Sequence, residues 1–149
     1  MRTIPINKVF NMVITRYIKI ESRGETDIIN VTPDVEEILS QAGLKSGIVT
    51  VFVSGATGGI TTIEYEPGLV KDLKDAFERL APRNAKYAHN VKWGDGNGFS
   101  HVRASLLGPS ITVPIFAGKM ILGTWQQIIF IDFDNRPRSR ELVVQIVGE

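Results

Sequence analysis

Ile48-Val49-Thr50-Val51-Phe52-Val53, Ser54-Gly55-Ala56-Thr57-Gly58-Gly59, Ile60-Thr61-Thr62-Ile63-Glu64-Tyr65 and then Pro67 to Leu80 make up the stretch that decides the fold. The first six residues are nearly all apolar and β-branched, the pattern of a strand covered on both faces. The glycine-rich segment reads as a connection into a second strand, Ile60 to Tyr65. Pro67 suits the first position of a helix, where an N–H would be unsatisfied anyway. Leu69, Val70, Leu73, Ala76, Phe77 and Leu80 fall on one helical stripe, and Pro82 stops it. Glu64 and Glu66 straddle Tyr65 on one strand face, where one could hold a metal or a substrate amine, or else one is solvated and one caps the helix. Two strands and a covering helix predict an α+β domain.

The flanks extend this reading. Val9 to Ile20 is rich in β-branched and aromatic residues and predicts a strand that ends at Ser22-Arg23-Gly24. Asp27 to Val31 is a second short strand. Thr32-Pro33 then reads as a cap and first helical position, with Val35, Ile38, Leu39 and Ala42 on one face and Gly43 closing the helix. Residues 83 to 100 look irregular, and loops that long inside a compact domain are usually functional or disordered. Three aromatics, a histidine and three glycines favour function. Ser100 can cap a short helix from His101 to Leu107. Ile111 to Phe116, Met120 to Asp132 and Glu141 to Val147 read as three consecutive antiparallel strands. Pro114 calls for an edge or bulged position, and Trp125 and Gln126 sit mid-strand. The expected fold is α+β, mainly an antiparallel β-sheet sandwich with two to three helices, and residues 1–149 form one domain.

Composition excludes several classes. The 149 residues carry 17 basic and 16 acidic side chains, which gives no global charge argument for nucleic acid. There is no cysteine, so disulfides, thiolate metal sites and a catalytic thiol are excluded. No apolar stretch approaches the roughly 18 residues of a membrane span. Met1 to Pro5 lacks the features of a secretory signal, so a soluble cytoplasmic protein is expected.

Four pieces in order carry a resemblance: Tyr87-Ala88-His89, Gly94 to Ser110, Gly123-Thr124-Trp125-Gln126-Gln127, and the terminal Gly148-Glu149. Together with the unit from Ile48 to Leu80, the chain resembles the YjbQ-like family. The resemblance implies a homotrimer and a thiamine phosphate synthase activity, which joins a pyrimidine pyrophosphate to a thiazole phosphate with release of pyrophosphate. Most members carry His-Thr-Thr or His-Thr-Ser where this chain has Gly55-Ala56-Thr57, and a second histidine is replaced by Phe99. The chain therefore resembles a divergent branch.

The candidate site residues follow from chemistry read beside that resemblance. Gly55, Ala56, Thr57, Gly58 and Gly59 either present backbone N–H groups to phosphate or simply make a tight connection that needs positive φ. His89, Asp95, Asn97 and His101 are expected to converge on one pocket, as a proton-transfer set or around Mg²⁺. A calcium loop beginning at Asp95 fails, because its twelfth position is Leu106 rather than a glutamate. A tightly held transition metal is not expected with the third imidazole missing. Arg103 would hold phosphate in a bidentate manner, or else make an ordinary ion pair. Arg136, Arg138 and Arg140 suggest a solvated or subunit-contacting face. The expected partner is a small phosphorylated substrate, with no nucleic acid and no membrane. The competing expectation is a non-catalytic trimeric binding or scaffold protein.

Overall fold

The computed structural model describes residues 12–149, so the residues before Met12 in the first expected strand lie outside it. The chain runs β1 (Met12–Ser22), β2 (Asp27–Asn30), α1 (Thr32–Ala42), β3 (Ser46–Val53), β4 (Gly58–Glu64), α2 (Pro67–Leu80), α3 (Ala88–Trp93), α4 (Gly98–Leu107), β5 (Ser110–Phe116), β6 (Lys119–Met120), β7 (Gln126–Asp132) and β8 (Arg138–Gly148). A five-stranded sheet has the order β1-β8-β3-β5-β6, and a three-stranded sheet the order β2-β7-β4. Every strand pairing is antiparallel. The α+β class is the one expected.

Several elements differ from expectation for identifiable reasons. There are four described helices rather than two to three, because the stretch taken as irregular contains α3. Met120 to Asp132 is not one strand. It breaks after β6, where Gly123 and Gln126 close a turn by mutual hydrogen bonds, and β7 crosses to the other sheet. The last long strands are therefore not consecutive neighbours: β3 separates β5 from β8. Pro114 is accommodated because only the two-residue β6 lies beyond β5. Val31, not Thr32, occupies the cap of α1, and the Thr32 hydroxyl instead accepts the Ile128 N–H at 2.7 Å.

Period-two alternation places Val49, Val51 and Val53 of β3 inward, beside Leu142, Val144 and Ile146 of β8. This face packs on Val35 and Leu39 of α1 and on Ile60, Ile128 and Phe130 of the smaller sheet. The other face of the smaller sheet, with Ile129 and Ile131, packs on Phe77 of α2 and Ala104 of α4. β7 is thus the strand covered on both sides. β3 is not: its outward residues Ile48 and Phe52 are exposed. Each fully buried Ile or Phe of β7 contributes about 1.5–3 kcal/mol of burial. That strand anchors the acidic end of the site described next.

Candidate functional site

The site forms where the β3–β4 turn, the end of β7 and the start of β8 meet α3 and α4. Two left-handed glycines, Gly94 at φ 64° and Gly96 at φ 64°, let the chain reverse between the two helices. That reversal stacks the His89 and His101 rings with centroids 4.3 Å apart. The His89 Nδ1 lies 3.6 Å from the Asp95 carboxylate, beyond hydrogen-bonding distance, and this buried nitrogen has no hydrogen-bond partner. Burial lowers the pKa of His101, and the neighbouring His89 adds to the effect; Asp95 and Asp134 oppose it.

His101 lines a cavity of about 220 Å³ together with Gly55, Ala56, Gly58 and Ser105. The expected glycine turn and His101 are thereby brought together, whereas His89 lies against His101 and, like Asp95, does not line this cavity. No residue from Ser54 to Gly59 has positive φ, so the turn is neither a strained connection nor an alternating anion nest. Gly58 and Gly59 are small for packing reasons. A Cβ on Gly58 would lie 2.7 Å from the Phe130 ring, and one on Gly59 2.6 Å from Leu107. Gly55 faces Arg140, whose Nη1 would sit 3.2 Å from an added Cβ.

Arg140 belongs to a largely buried network within the chain, where a solvated or subunit-contacting face was expected. Its Nε and Nη2 grip both oxygens of the fully buried Asp132, at 2.7 and 2.8 Å. The same Nη2 donates to the Thr57 hydroxyl at 2.7 Å, and Thr57 donates to Asp134 at 3.0 Å. The Asp132 hydrogen bonds raise the Arg140 pKa. Burial pushes the Asp134 carboxyl up, but hydrogen bonds from Arg138 and Thr57 outweigh it and hold that pKa below the usual range. One Asp134 oxygen remains buried without a partner. The available signal was the alternation Asp132-Phe133-Asp134 across a turn from Arg138-Ser139-Arg140, which pairs opposite charges between adjoining strand ends.

Two expected members do different work. Arg103 is buried and lines another cavity, beside Glu78 and Phe99. It donates to the Ala81 carbonyl, the Thr26 hydroxyl and Glu78, so its guanidinium is a clamp between elements and is not turned toward the glycine turn. Asn97 is also buried; its side-chain oxygen accepts from Ser100 and from the Asn135 N–H. Ser100 thus braces Asn97 and does not cap α4.

These commitments bear on a metal ion. The Asn97 oxygen is already occupied, Asp95 accepts the Asn97 N–H, and among the described residues no three His, Asp or Glu side chains converge as ligands. The donor set does not fit Mg²⁺, which requires carboxylate and water oxygens in near-octahedral array.

The fold and site define a two-sheet α+β domain in which one histidine of a close pair lines a cavity at the glycine turn. The chain belongs to the UPF0047 YjbQ-like family, whose description matches residues 16–149. It is 38% identical over 141 residues to a UPF0047 protein of Methanothermobacter thermautotrophicus, covering 95% of this chain and 96% of that one. It is 33% identical to the UPF0047 protein YugU of Bacillus subtilis, covering 92% of this chain and all of the relative. A YbjQ-like protein of unknown function from Sulfolobus solfataricus superposes with TM-score 0.89 at 29% identity, over 93% of this chain and 99% of that chain. A Clostridium acetobutylicum family member gives 0.81 at 32% identity, over 88% and 98% of the two chains. Among the described residues no helix is long and apolar enough to cross a membrane.

Proposed function

We propose that the cavity between the glycine turn and α4 receives the phosphoryl end of a small phosphorylated molecule, and that the His101–His89 pair moves a proton there during a group transfer. The reaction class is the synthase type, in which a pyrimidine pyrophosphate is joined to a thiazole phosphate and pyrophosphate leaves. The observation that carries this reading is the shared wall: His101 and the Gly55–Ala56 backbone line one cavity, with His89 stacked behind.

The chemistry asks little covalent work of the protein, since positioning and charge stabilisation suffice for a phosphate leaving group. A histidine whose pKa is lowered by burial is neutral at neutral pH. It can therefore take up a proton from solvent and pass it to the departing pyrophosphate oxygen, while the thiazole nitrogen forms the new bond without losing a proton. Gly55 leaves the Nη1 of Arg140 an approach to anions, while Asp132 fixes the rest of the guanidinium. Arg140 thus replaces Arg103 as the cation of the site. The unit proposed to carry this cavity is a homotrimer.

Turnover of the pyrimidine pyrophosphate and thiazole phosphate pair is the direct test. His101→Ala should then lower kcat about 10²–10⁴-fold with little change in melting temperature. Absence of turnover above background in the unmodified protein removes the synthase reading. A melting shift with pyrophosphate alone still reports whether the cavity binds phosphate, because saturation at a hundred times Kd adds about 2.7 kcal/mol. Binding without turnover would favour the non-catalytic ligand-binding alternative.

A further inference from the structure

The far end of the three-stranded sheet holds a separate cavity, of about 370 Å³, lined by Asn30, Glu64, Tyr65, Glu66, Trp125 and Gln127 among others. Glu64 pairs with Gln126 at this end, whereas Gly58 pairs with Asp132 at the histidine end. Six residues of strand separate the two, about 20 Å. Nothing in the histidine cavity reaches here.

The lining is chemically one-sided. Trp125 is 70% exposed and Tyr65 42% exposed, large aromatic surface to leave in water. The Gly123–Gln126 hydrogen bonds close the turn that projects Trp125, and the Tyr65 hydroxyl donates to the Ile28 carbonyl at 3.2 Å. Asn30 and Gln127 pair their amides in the wall at 3.2 Å. Glu66 accepts N–H groups from the first turn of α2, whereas Glu64 has no ion pair or side-chain hydrogen bond among the described residues. Among the described residues no lysine, arginine or histidine lines the cavity. Two carboxylates and two aromatic rings therefore line one cavity, and of the two carboxylates only Glu64 is left uncommitted among the described residues.

That combination discriminates between ligand classes. The carboxylates repel an anion. The donors do not make a metal site, since among the described residues no three acidic or histidine groups converge. A neutral apolar ligand would gain nothing from the carboxylates. An organic cation satisfies both components, because aromatic faces attract a diffuse positive charge and carboxylates neutralise it. We propose that this cavity is a binding site for a small organic cation of the quaternary ammonium or heteroaromatic type, packed against Trp125 and Tyr65 and neutralised by Glu64. Its lining lies on the three-stranded sheet and its flanking turns, away from the outer face of the five-stranded sheet.

The test uses the full chain and three probes: choline, N-methylpyridinium, and 3,3-dimethyl-1-butanol, the neutral carbon isostere of choline. A Trp93→Phe background leaves Trp125 as the one tryptophan, so its fluorescence reports occupancy. Saturable quenching by at least one cation is expected up to about 50 mM, with the alcohol at least about tenfold weaker. Calorimetry of Trp125→Ala and Glu64→Gln should show about fivefold or greater weakening, with melting temperatures unchanged because both side chains are exposed. Response to neither cation, equal response to the alcohol, or undiminished binding in both folded variants would overturn the proposal. Pyrophosphate binding at the histidine cavity should be the same in all of these variants, which separates this outcome from the fate of the catalytic reading.

Discussion

Every nitrogen of the Arg103 guanidinium meets an oxygen: the Ala81 carbonyl, the Thr26 hydroxyl or the Glu78 carboxylate. It also lies 4.9 Å from the Phe99 ring centroid. Arg103→Ala leaves a buried carbonyl and a buried hydroxyl unpaired, so a loss of about 3 kcal/mol in urea unfolding is expected. Turnover per folded molecule should be unchanged; a large kcat loss at full stability would return Arg103 to the catalytic site. His101 predicts the opposite kind of signature. Its folded pKa lies below the unfolded value of about 6.5, so the unfolded chain binds more protons in this range. Its contribution to stability is fully present above that pH and is lost as pH falls through the folded value. Melting temperature should therefore decline from pH 7.5 to pH 5.5, and the decline should flatten in His101→Gln. An identical slope in the variant would refute this assignment. The histidines were legible in the sequence because both flank a glycine-rich reversal. The different jobs of Arg103 and Arg140 were not, since partners 22 and 77 residues away choose the role of Arg103.

At the scale of elements, local signals were read well and pairings were not. Pro67, the apolar stripe and Pro82 mark α2 at the bounds it has, Pro67–Leu80, and Glu66 caps it as expected. Hydrophobic alternation marks β3 and β8 as strands, but which sheet a strand joins depends on contacts far along the chain. Met120 to Asp132 was therefore read as one strand although it serves two sheets. Gly47 shows how tightly such pairing constrains a residue with no local signature. It sits at φ 148°, and a Cβ there would overlap the Val147 carbonyl of the neighbouring β8. Gly43, the left-handed cap of α1 at φ 68°, has nothing within 4 Å of an added Cβ. Gly43→Ala should then cost about 1–2 kcal/mol, the ordinary penalty for a left-handed alanine. Gly47→Ala must also displace backbone and should cost at least about twice as much. Equal chemical-denaturation midpoints for the two variants would contradict this ranking.

The proposed homotrimer rests on the outer face of the five-stranded sheet. Strand register lines up Val13, Val147, Ile48 and Pro114 in one row across β1, β8, β3 and β5. A second row joins Tyr17, Val143 and Phe52, and a polar row of Thr15, Gln145, Thr50 and Thr112 runs between them. Hydrogen bonds from Gln145 to Thr15 and between Thr50 and Thr112 satisfy that polar row internally. The face thus has its polar groups paired while Val13, Tyr17, Ile48 and Phe52 stay 61%, 57%, 43% and 39% exposed. Isolated soluble domains rarely leave paired apolar rows of this kind uncovered, and association is the usual remedy. Light scattering coupled to gel filtration should give three times the 16.5 kDa chain mass. Phe52→Glu places a charge at the β3 end of the second apolar row and should release monomers, because an unpaired charge buried in an interface is strongly unfavourable. The unmodified protein should also melt at a temperature that rises with protein concentration, as dissociation linked to unfolding requires, and the variant should not. A monomer mass for the unmodified chain ends the trimer proposal. An intact trimer in Phe52→Glu, with concentration-dependent melting retained, would move the interface to another face.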